Sequence, residues 1–133
     1  VKTILYTKHN SFEINPYLIK SASGAFEEIK LVEVINLNQT IDFLKKKEFW
    51  IVGLDANSKK KISTIPNNIK LAIILGSESK GIKKLSLEKC DFRVNINTVK
   101  SKLVDSLNVS HATAIVLYEV SNERIAWILQ QHR

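Results

Sequence analysis

The sequence predicts an α/β domain with a mainly parallel sheet and flanking helices. Three observations carry that expectation. Short runs rich in Ile, Val and Leu alternate with amphipathic or capped segments along 133 residues. The run Leu71–Leu75 is apolar at five consecutive positions, as in a strand buried on both faces of a parallel sheet. The stretch from Asp105 to Arg133 contains neither Gly nor Pro and reads as one long closing helix.

Val1 to Thr7 is β-branched and apolar and is expected to be the first strand. After a polar loop, Asn15-Pro16 reads as a helix start, because the missing proline N–H costs nothing at the first helical position. That helix is expected over Pro16 to about Ala25, with Gly24 near its end. Ile29 to Ile35 is the second strand. Asn36 is placed to cap a helix over Leu37 to Lys47, on which Leu37, Ile41 and Leu44 share a face. Lys45, Lys46 and Lys47 then fall in its last turn, where positive charge suits the helix dipole. Phe49 to Leu54 is the third strand. Asp55 to Asn68 is polar, holds Pro66 and reads as loop with one short turn. Leu71 to Leu75 is the fourth strand, Leu85 to Lys89 a short helix, and Phe92 to Ile96 the last strand. Asn97 to Val104 reads as loop, and Asp105 or Ser106 is placed to cap the closing helix.

Composition excludes several classes. Hydrophobic residues are 44% and charged residues 25%, which suits a globular domain. A single cysteine, Cys90, permits no internal disulfide and fits a reducing, cytoplasmic compartment. The three histidines, His9, His111 and His132, lack metal-ligand spacing, so no metal site is expected. No apolar run in these residues approaches the roughly 20 positions of a membrane-spanning helix. The net charge is +7, with a pI near 9.5, which favours a polyanionic partner such as nucleic acid. The chain contains no methionine and opens directly on a strand, so a longer protein is expected.

Ligands of parallel sheets bind beyond the carboxyl ends of the strands. Here those ends are Gly53-Leu54, Gly76 to Gly81, and Ile96 onward. The segment Gly76-Ser77-Glu78-Ser79-Lys80-Gly81 is not a P-loop, because the Gly-Lys-Ser/Thr ending is absent, and it does not match the G-x-G-x-x-G dinucleotide fingerprint. On pattern alone it is a ligand-binding turn or a structural one. Ser106-Leu107-Asn108-Val109-Ser110 opens the closing helix, where free backbone N–H groups suit an anion or a capping side chain.

Taken in order, these pieces resemble the SpoU (TrmH) family of RNA 2′-O-ribose methyltransferases. The matching elements are the Asn15-Pro16 helix with its small-residue and glycine ending, the Gly76, Glu78 and Gly81 pattern, Ile96, and the Ser106 to Ser110 helix start. Phe49 to Gly53 is similar to the family's strand before its variable loop. The resemblance spans Val1 to about Glu119 and is most specific at Ser106 to Ser110.

It implies an S-adenosylmethionine-dependent enzyme with a deep C-terminal trefoil knot, such knots being rare among folds. It implies cofactor contacts at Gly53, Leu54, Gly76, Ser77, Glu78, Ile96 and Leu107, and a catalytic pocket built with Glu78, Ser106 and Asn108. The substrate it implies is the ribose 2′-hydroxyl of rRNA, with guanosine in 23S rRNA first, or of tRNA, and the assembly is a homodimer. Two departures accompany it. The family's first motif, an Asn and a catalytic Arg, has no counterpart within these residues; it belongs upstream of Val1, or the domain is a non-catalytic binding module. The usual Ile-Pro-Met of the third motif reads Ile96-Asn97-Thr98.

Overall fold

In the computed structural model, residues 2–7, 16, 20, 22–77, 80–96 and 108–131 are described, with backbone alone over 122–131. The chain divides into two compact units, Val1–Thr40 and Ile41–Arg133.

In the first unit, strands β1 (Thr3–Thr7) and β2 (Lys30–Val34) pair in parallel, with Thr3 opposite Lys30 and Thr7 opposite Val34. A parallel pair needs a crossover. Of the helix expected over Pro16 to Ala25, most residues lie outside the described ones. Its expected end is different: Ala22–Gly24 form a turn, and Ala25–Glu28 make a short 3-10 helix entered through Gly24 at φ 84°. A left-handed residue there redirects the chain before β2.

Helix α1 (Leu37–Lys46) starts where Asn36 caps it, with the Gln39 N–H donating to Asn36 Oδ1 at 3.1 Å. Ile41 is buried, while Leu37 and Leu44 are half-buried, as the spacing predicts. Lys45 and Lys46 occupy its last turn.

The second unit holds a three-stranded parallel sheet in the order β4-β3-β5, from β3 (Phe49–Leu54), β4 (Lys70–Ile74) and β5 (Phe92–Val94). β3 is central, and Ile51, Val52 and Gly53 are buried in it. β4 is not buried on both faces as its apolar run suggests. Among its residues only Ile74 is buried, and Leu75, just beyond it, is 42% exposed. Among the described residues β4 stands at the edge of this sheet.

Alternation along the strands sorts their side chains. Val52 and Val94 join Ile65 in a core against which Leu54, Ile62, Ile69, Leu71, Ile73 and Phe92 pack. The loop between β3 and β4 supplies Ile62, Ile65 and Ile69. Where one short turn is expected it contains two, a turn in which the Ser58 N–H donates to Asp55 O at 3.0 Å and a 3-10 helix over Ile62–Thr64. Burying a Val or Ile side chain contributes roughly 1.5–3 kcal/mol, so this loop is a structural cover of the sheet.

Helix α2 (Lys84–Glu88) links β4 to β5. Asp91, at the entrance to β5, accepts the Ile51 N–H at 2.7 Å and pairs with Lys45 at 3.2 Å. Lys89 pairs with Asp42 at 2.6 Å. These contacts tie α1 and the amino end of β3 to the α2–β5 corner. Helix α3 (Val109–Gln131) closes the chain and buries Val116. It starts later than Asp105, and the expected caps Asp105 and Ser106 lie outside the described residues. So do residues 97–107 as a whole, and the described residues do not show the implied knot. No described helix is long and apolar enough to cross a membrane.

Candidate functional site

All three strands of the second sheet run parallel, so their carboxyl ends open on one edge. Register makes this concrete. Gly53 sits opposite Ile74 on one side and Arg93 on the other, and Leu54 sits opposite Val94. The residues that follow β4 and β5, Leu75-Gly76-Ser77 and Asn95-Ile96, therefore emerge beside Leu54. Sequence positions more than forty residues apart converge: Gly53, Leu54, Gly76, Ser77 and Ile96 share one sheet edge. Glu78, Ser106 and Leu107 lie outside the described residues. Asn108 begins the closing helix.

The loop after β4 closes on itself. The Ser77 N–H donates to Gly81 O at 3.2 Å and the Gly81 N–H to Ser77 O at 2.9 Å, forming an antiparallel bridge. The Lys80 N–H donates to Ser77 Oγ at 3.2 Å. Gly81 has φ 65°, a left-handed conformation that an L side chain resists. A Cβ on Gly76 would lie 2.3 Å from the Gly81 carbonyl carbon and 2.5 Å from Ile82 N. A Cβ on Gly53 would lie 2.8 Å from Cys90 Sγ. Gly53 and Gly76 are thus required by the protein's own packing, and Gly81 by its backbone conformation. The turn that Gly76 and Gly81 permit follows directly on β4, which is paired with β3 up to Gly53 opposite Ile74.

Cys90 fills the space over Gly53 and donates from Sγ to Ser86 O at 3.3 Å. Burial pushes its thiol pKa up, partly offset by the nearby charges of Arg93 and Lys45. It is a packing thiol and not an activated nucleophile.

Sequence reasoning missed the polar clasp beyond β5. Asn95 Nδ2 donates to Ser58 O at 2.9 Å, and the Asn95 N–H donates to Lys60 O at 2.9 Å. Ser58 Oγ donates to Arg93 O at 2.6 Å and accepts the Lys60 N–H at 3.2 Å. Residue Lys61 bridges Asn95 in parallel, so the segment runs alongside the end of β5 like a short extra strand. Asn95 Oδ1 is buried and has no hydrogen-bond partner among the described residues. The signal was present as a polar residue inside an otherwise apolar strand, between Val94 and Ile96.

The clasp also fixes charge. Lys59, Lys60 and Lys61 are exposed on the β5 side of the edge, and Lys80, Lys83 and Lys84 are exposed on the β4 side. Among the described residues none of these six is in an ion pair. Cations flank the strand ends on both sides, a distribution suited to phosphates.

Asn108 caps α3: its Oδ1 accepts the Ser110 N–H at 2.8 Å, and the side chain is exposed. One of its oxygen lone pairs is committed to the helix start. Its amide nitrogen is the group that remains to meet a ligand.

Comparison with known proteins finds similar sequences and folds. The family model for the SpoU rRNA Methylase family matches residues 1–118. A 23S rRNA (guanosine-2′-O-)-methyltransferase RlmB of Coxiella burnetii is 40% identical over 95% of this chain and 50% of its own length. A protein of Staphylococcus aureus, assigned by name to the TrmH family of tRNA/rRNA methyltransferases, is 36% identical over 93% of this chain and 49% of its own. The chain thus spans about half the length of the curated relatives it matches. The SpoU methyltransferase AviRb from Streptomyces viridochromogenes, crystallised with the cofactor AdoMet, superposes with a TM-score of 0.81 at 21% identity, covering 93% of this chain and 50% of that one. The A. aeolicus TrmH/SpoU tRNA modifying enzyme gives a TM-score of 0.79 at 25% identity, over 94% of this chain and 62% of that one. The fold is therefore that of the SpoU methyltransferases, and with the family model matching most of its length, the chain belongs to the SpoU rRNA methylase family.

Proposed function

We propose that this chain forms the methyl-transfer domain of an S-adenosylmethionine-dependent RNA ribose 2′-O-methyltransferase. The observation that carries the reading is the convergence of Gly53-Leu54, Gly76-Ser77 and Asn95-Ile96 at one edge of a parallel sheet in a member of this family. Strand-end backbone brought together by such register is the usual place for a ligand in an α/β sheet. Two features fit the cofactor. A buried acceptor, Asn95 Oδ1, stands at that edge without a partner among the described residues. The Gly76–Gly81 turn folds back on itself, holding its backbone compactly beside the β3 end.

When bound, S-adenosylmethionine supplies a methyl group activated by the positive sulfur to which it is attached. The protein's part is to bind, orient and deprotonate. Gly53, Leu54, Gly76, Ser77, Glu78, Ile96 and Leu107 hold the cofactor, largely by backbone. Glu78, Ser106 and Asn108 orient the acceptor nucleotide, Asn108 through the amide nitrogen that capping leaves free. In-line placement of the 2′-oxygen against the methyl carbon is the main source of rate, since oriented reactants avoid most of the entropic cost of meeting. With the cofactor bound, these residues would hold the 2′-oxygen in line with the methyl group while the hydroxyl proton is removed.

Lys59, Lys60, Lys61, Lys80, Lys83 and Lys84 hold RNA phosphates across the edge. Guanosine in 23S rRNA is the target placed first, supported by the identity with the Coxiella burnetii enzyme, and tRNA is placed second. We take the assembly to be a homodimer, with Ile115 and Tyr118 as exposed apolar residues of α3 available for contact.

The test is transfer of labelled methyl from S-adenosylmethionine to 23S rRNA and tRNA transcripts by the full-length protein. Label in ribose 2′-O-methylguanosine is the expected result. No incorporation into either RNA, with a folded protein that binds the cofactor, would refute the activity.

A further inference from the structure

We propose that an open groove beside β5 seats one phosphodiester of the RNA backbone, with the Arg93 guanidinium as its principal contact. The inference rests on the RNA reading above and adds to it a defined subsite and the residue that builds it. The groove has a volume of about 370 Å³, is open to solvent, and is lined by Ser58, Lys59, Lys60, Cys90, Asp91 and Arg93. Arg93 sits opposite Gly53 in the register, and its Nε–H donates to Leu87 O at 3.0 Å, so the side chain leaves the sheet on the α2 face. That bond uses one of the five guanidinium donors and orients the planar group. The four N–H donors on its terminal nitrogens meet no acceptor among the described residues.

Charge selects the ligand. Asp91 is the one carboxylate in the lining, and both of its oxygens are engaged, Oδ1 with Lys45 at 3.2 Å and Oδ2 with the Ile51 N–H at 2.7 Å. Lys59, Lys60 and Arg93 are exposed and form no ion pair among the described residues. Three cations thus share the groove with one neutralised carboxylate, and an anion is the ligand they suit. The backbone that carries the lysines is already ordered: Ser58 Oγ donates to Arg93 O at 2.6 Å and the Asn95 N–H donates to Lys60 O at 2.9 Å, one anchor on each side of Lys59. Binding there costs less ordering than on a loose loop. The terminal donors of a guanidinium match the two non-bridging oxygens of a phosphodiester. Small ligands take enclosed pockets that cover most of their surface, whereas an open groove suits a phosphate carried on a polymer. Lys61, bridged to Asn95, continues the cationic segment to the strand ends, where the acceptor nucleotide is placed. That continuity favours RNA over an acidic segment of a protein.

The experiment measures binding of a 23S rRNA fragment and of a tRNA transcript, over a range of salt, to the full-length protein and to its Arg93→Gln and Arg93→Lys variants. Arg93→Gln removes the charge and should weaken RNA binding roughly three- to tenfold at low salt. It should also lower the slope of log affinity against log salt by about 0.7–0.9, the share of one phosphate. Arg93→Lys keeps the charge and loses the fork, so it should keep the slope and recover only part of the affinity. Affinity for S-adenosylhomocysteine should stay as in wild type in both variants, while a merely structural role for Arg93 would move that affinity and leave the salt slope unchanged. Single uncharged methylphosphonates placed along the RNA then locate the contact: at one position the replacement should weaken wild type and have no effect on Arg93→Gln. A folded Arg93→Gln with unchanged RNA affinity and slope would overturn the proposal and leave the groove to an acidic protein segment. A scan with no such position would overturn it as well. Failure of wild type to bind either RNA would instead sink the RNA reading, and this inference with it.

Discussion

Replacing Gly76 with alanine tests whether the turn after β4 is built by steric necessity. The added Cβ would sit 2.3 Å from the Gly81 carbonyl carbon, 2.5 Å from Ile82 N and 2.6 Å from Gly81 Cα. Carbon atoms come to rest about 3.5 Å apart, so the overlap is roughly 1.2 Å against main chain and not against a side chain that could rotate away. Relief requires moving the Ser77–Gly81 bridge, whose two hydrogen bonds are 2.9 and 3.2 Å long. Overpacking alone costs about 1–3 kcal/mol, and loss of one or both net hydrogen bonds adds about 0.5–1.5 kcal/mol each. A destabilisation of roughly 1.5–6 kcal/mol follows. Gly81→Ala is the control. Nothing lies within 4 Å of its Cβ, so only the backbone at φ 65° is strained, at about 1–2 kcal/mol. Urea denaturation gives both values, and calorimetry with S-adenosylhomocysteine reports the site. The expected order is Gly76→Ala worse than Gly81→Ala, with ligand affinity falling most in Gly76→Ala. If Gly76→Ala changes stability by less than about 1 kcal/mol and binds normally, the turn is not sterically determined and the argument fails.

Three further outcomes follow from the same geometry. Asn36→Ala should lower stability by about 1 kcal/mol, because the Gln39 N–H loses its side-chain acceptor; thermal denaturation measures it, and Asn36→Asp should be nearly silent. Changing Lys59, Lys60 and Lys61 together to alanine should weaken binding of a 23S rRNA fragment and reduce the slope of log affinity against log salt by up to about 3; an unchanged slope would remove this segment from the RNA interface. Cys90 should react slowly with iodoacetamide in the folded protein near pH 8.5 and at an ordinary thiol rate in urea. Burial raises its folded pKa, so the stability tied to the neutral thiol is present below the unfolded value, about 8.5, and is lost as pH rises through the folded one. Rapid labelling of the native protein would contradict that.

Much of the fold was legible because period and capping act locally. Phe49–Leu54 was read to the residue, since a continuous apolar run bounded by Glu48 and Asp55 has little else it can be. The α1 helix was read from Asn36 and the spacing of Leu37, Ile41 and Leu44, and the cap is present. What failed was neighbourhood. Leu71–Leu75 looks doubly buried, yet the number of strands beside a strand is set by chain order in space, and among the described residues β4 takes the edge. The turn before β2 was read as the end of a helix because Gly24 fits both a helix stop and entry to a 3-10 turn.

The candidate site shows the same division in sharper form. Its glycines were visible and were weighed equally as ligand-binding or structural. The structure explains them by packing: Gly76 makes room for Gly81 and Ile82, and Gly53 makes room for Cys90. A glycine motif in this setting need not line a ligand with bare backbone. Beyond β5, the amide of Asn95 is anchored instead by a loop thirty-seven positions away in sequence. No local pattern links Ser58 to Asn95, because the contact exists only once β3 and β5 have paired and the intervening loop has folded back along β5. Glycine spacing thus reports local packing at the edge, while the polar contacts beyond β5 depend on pairings that only the tertiary fold supplies.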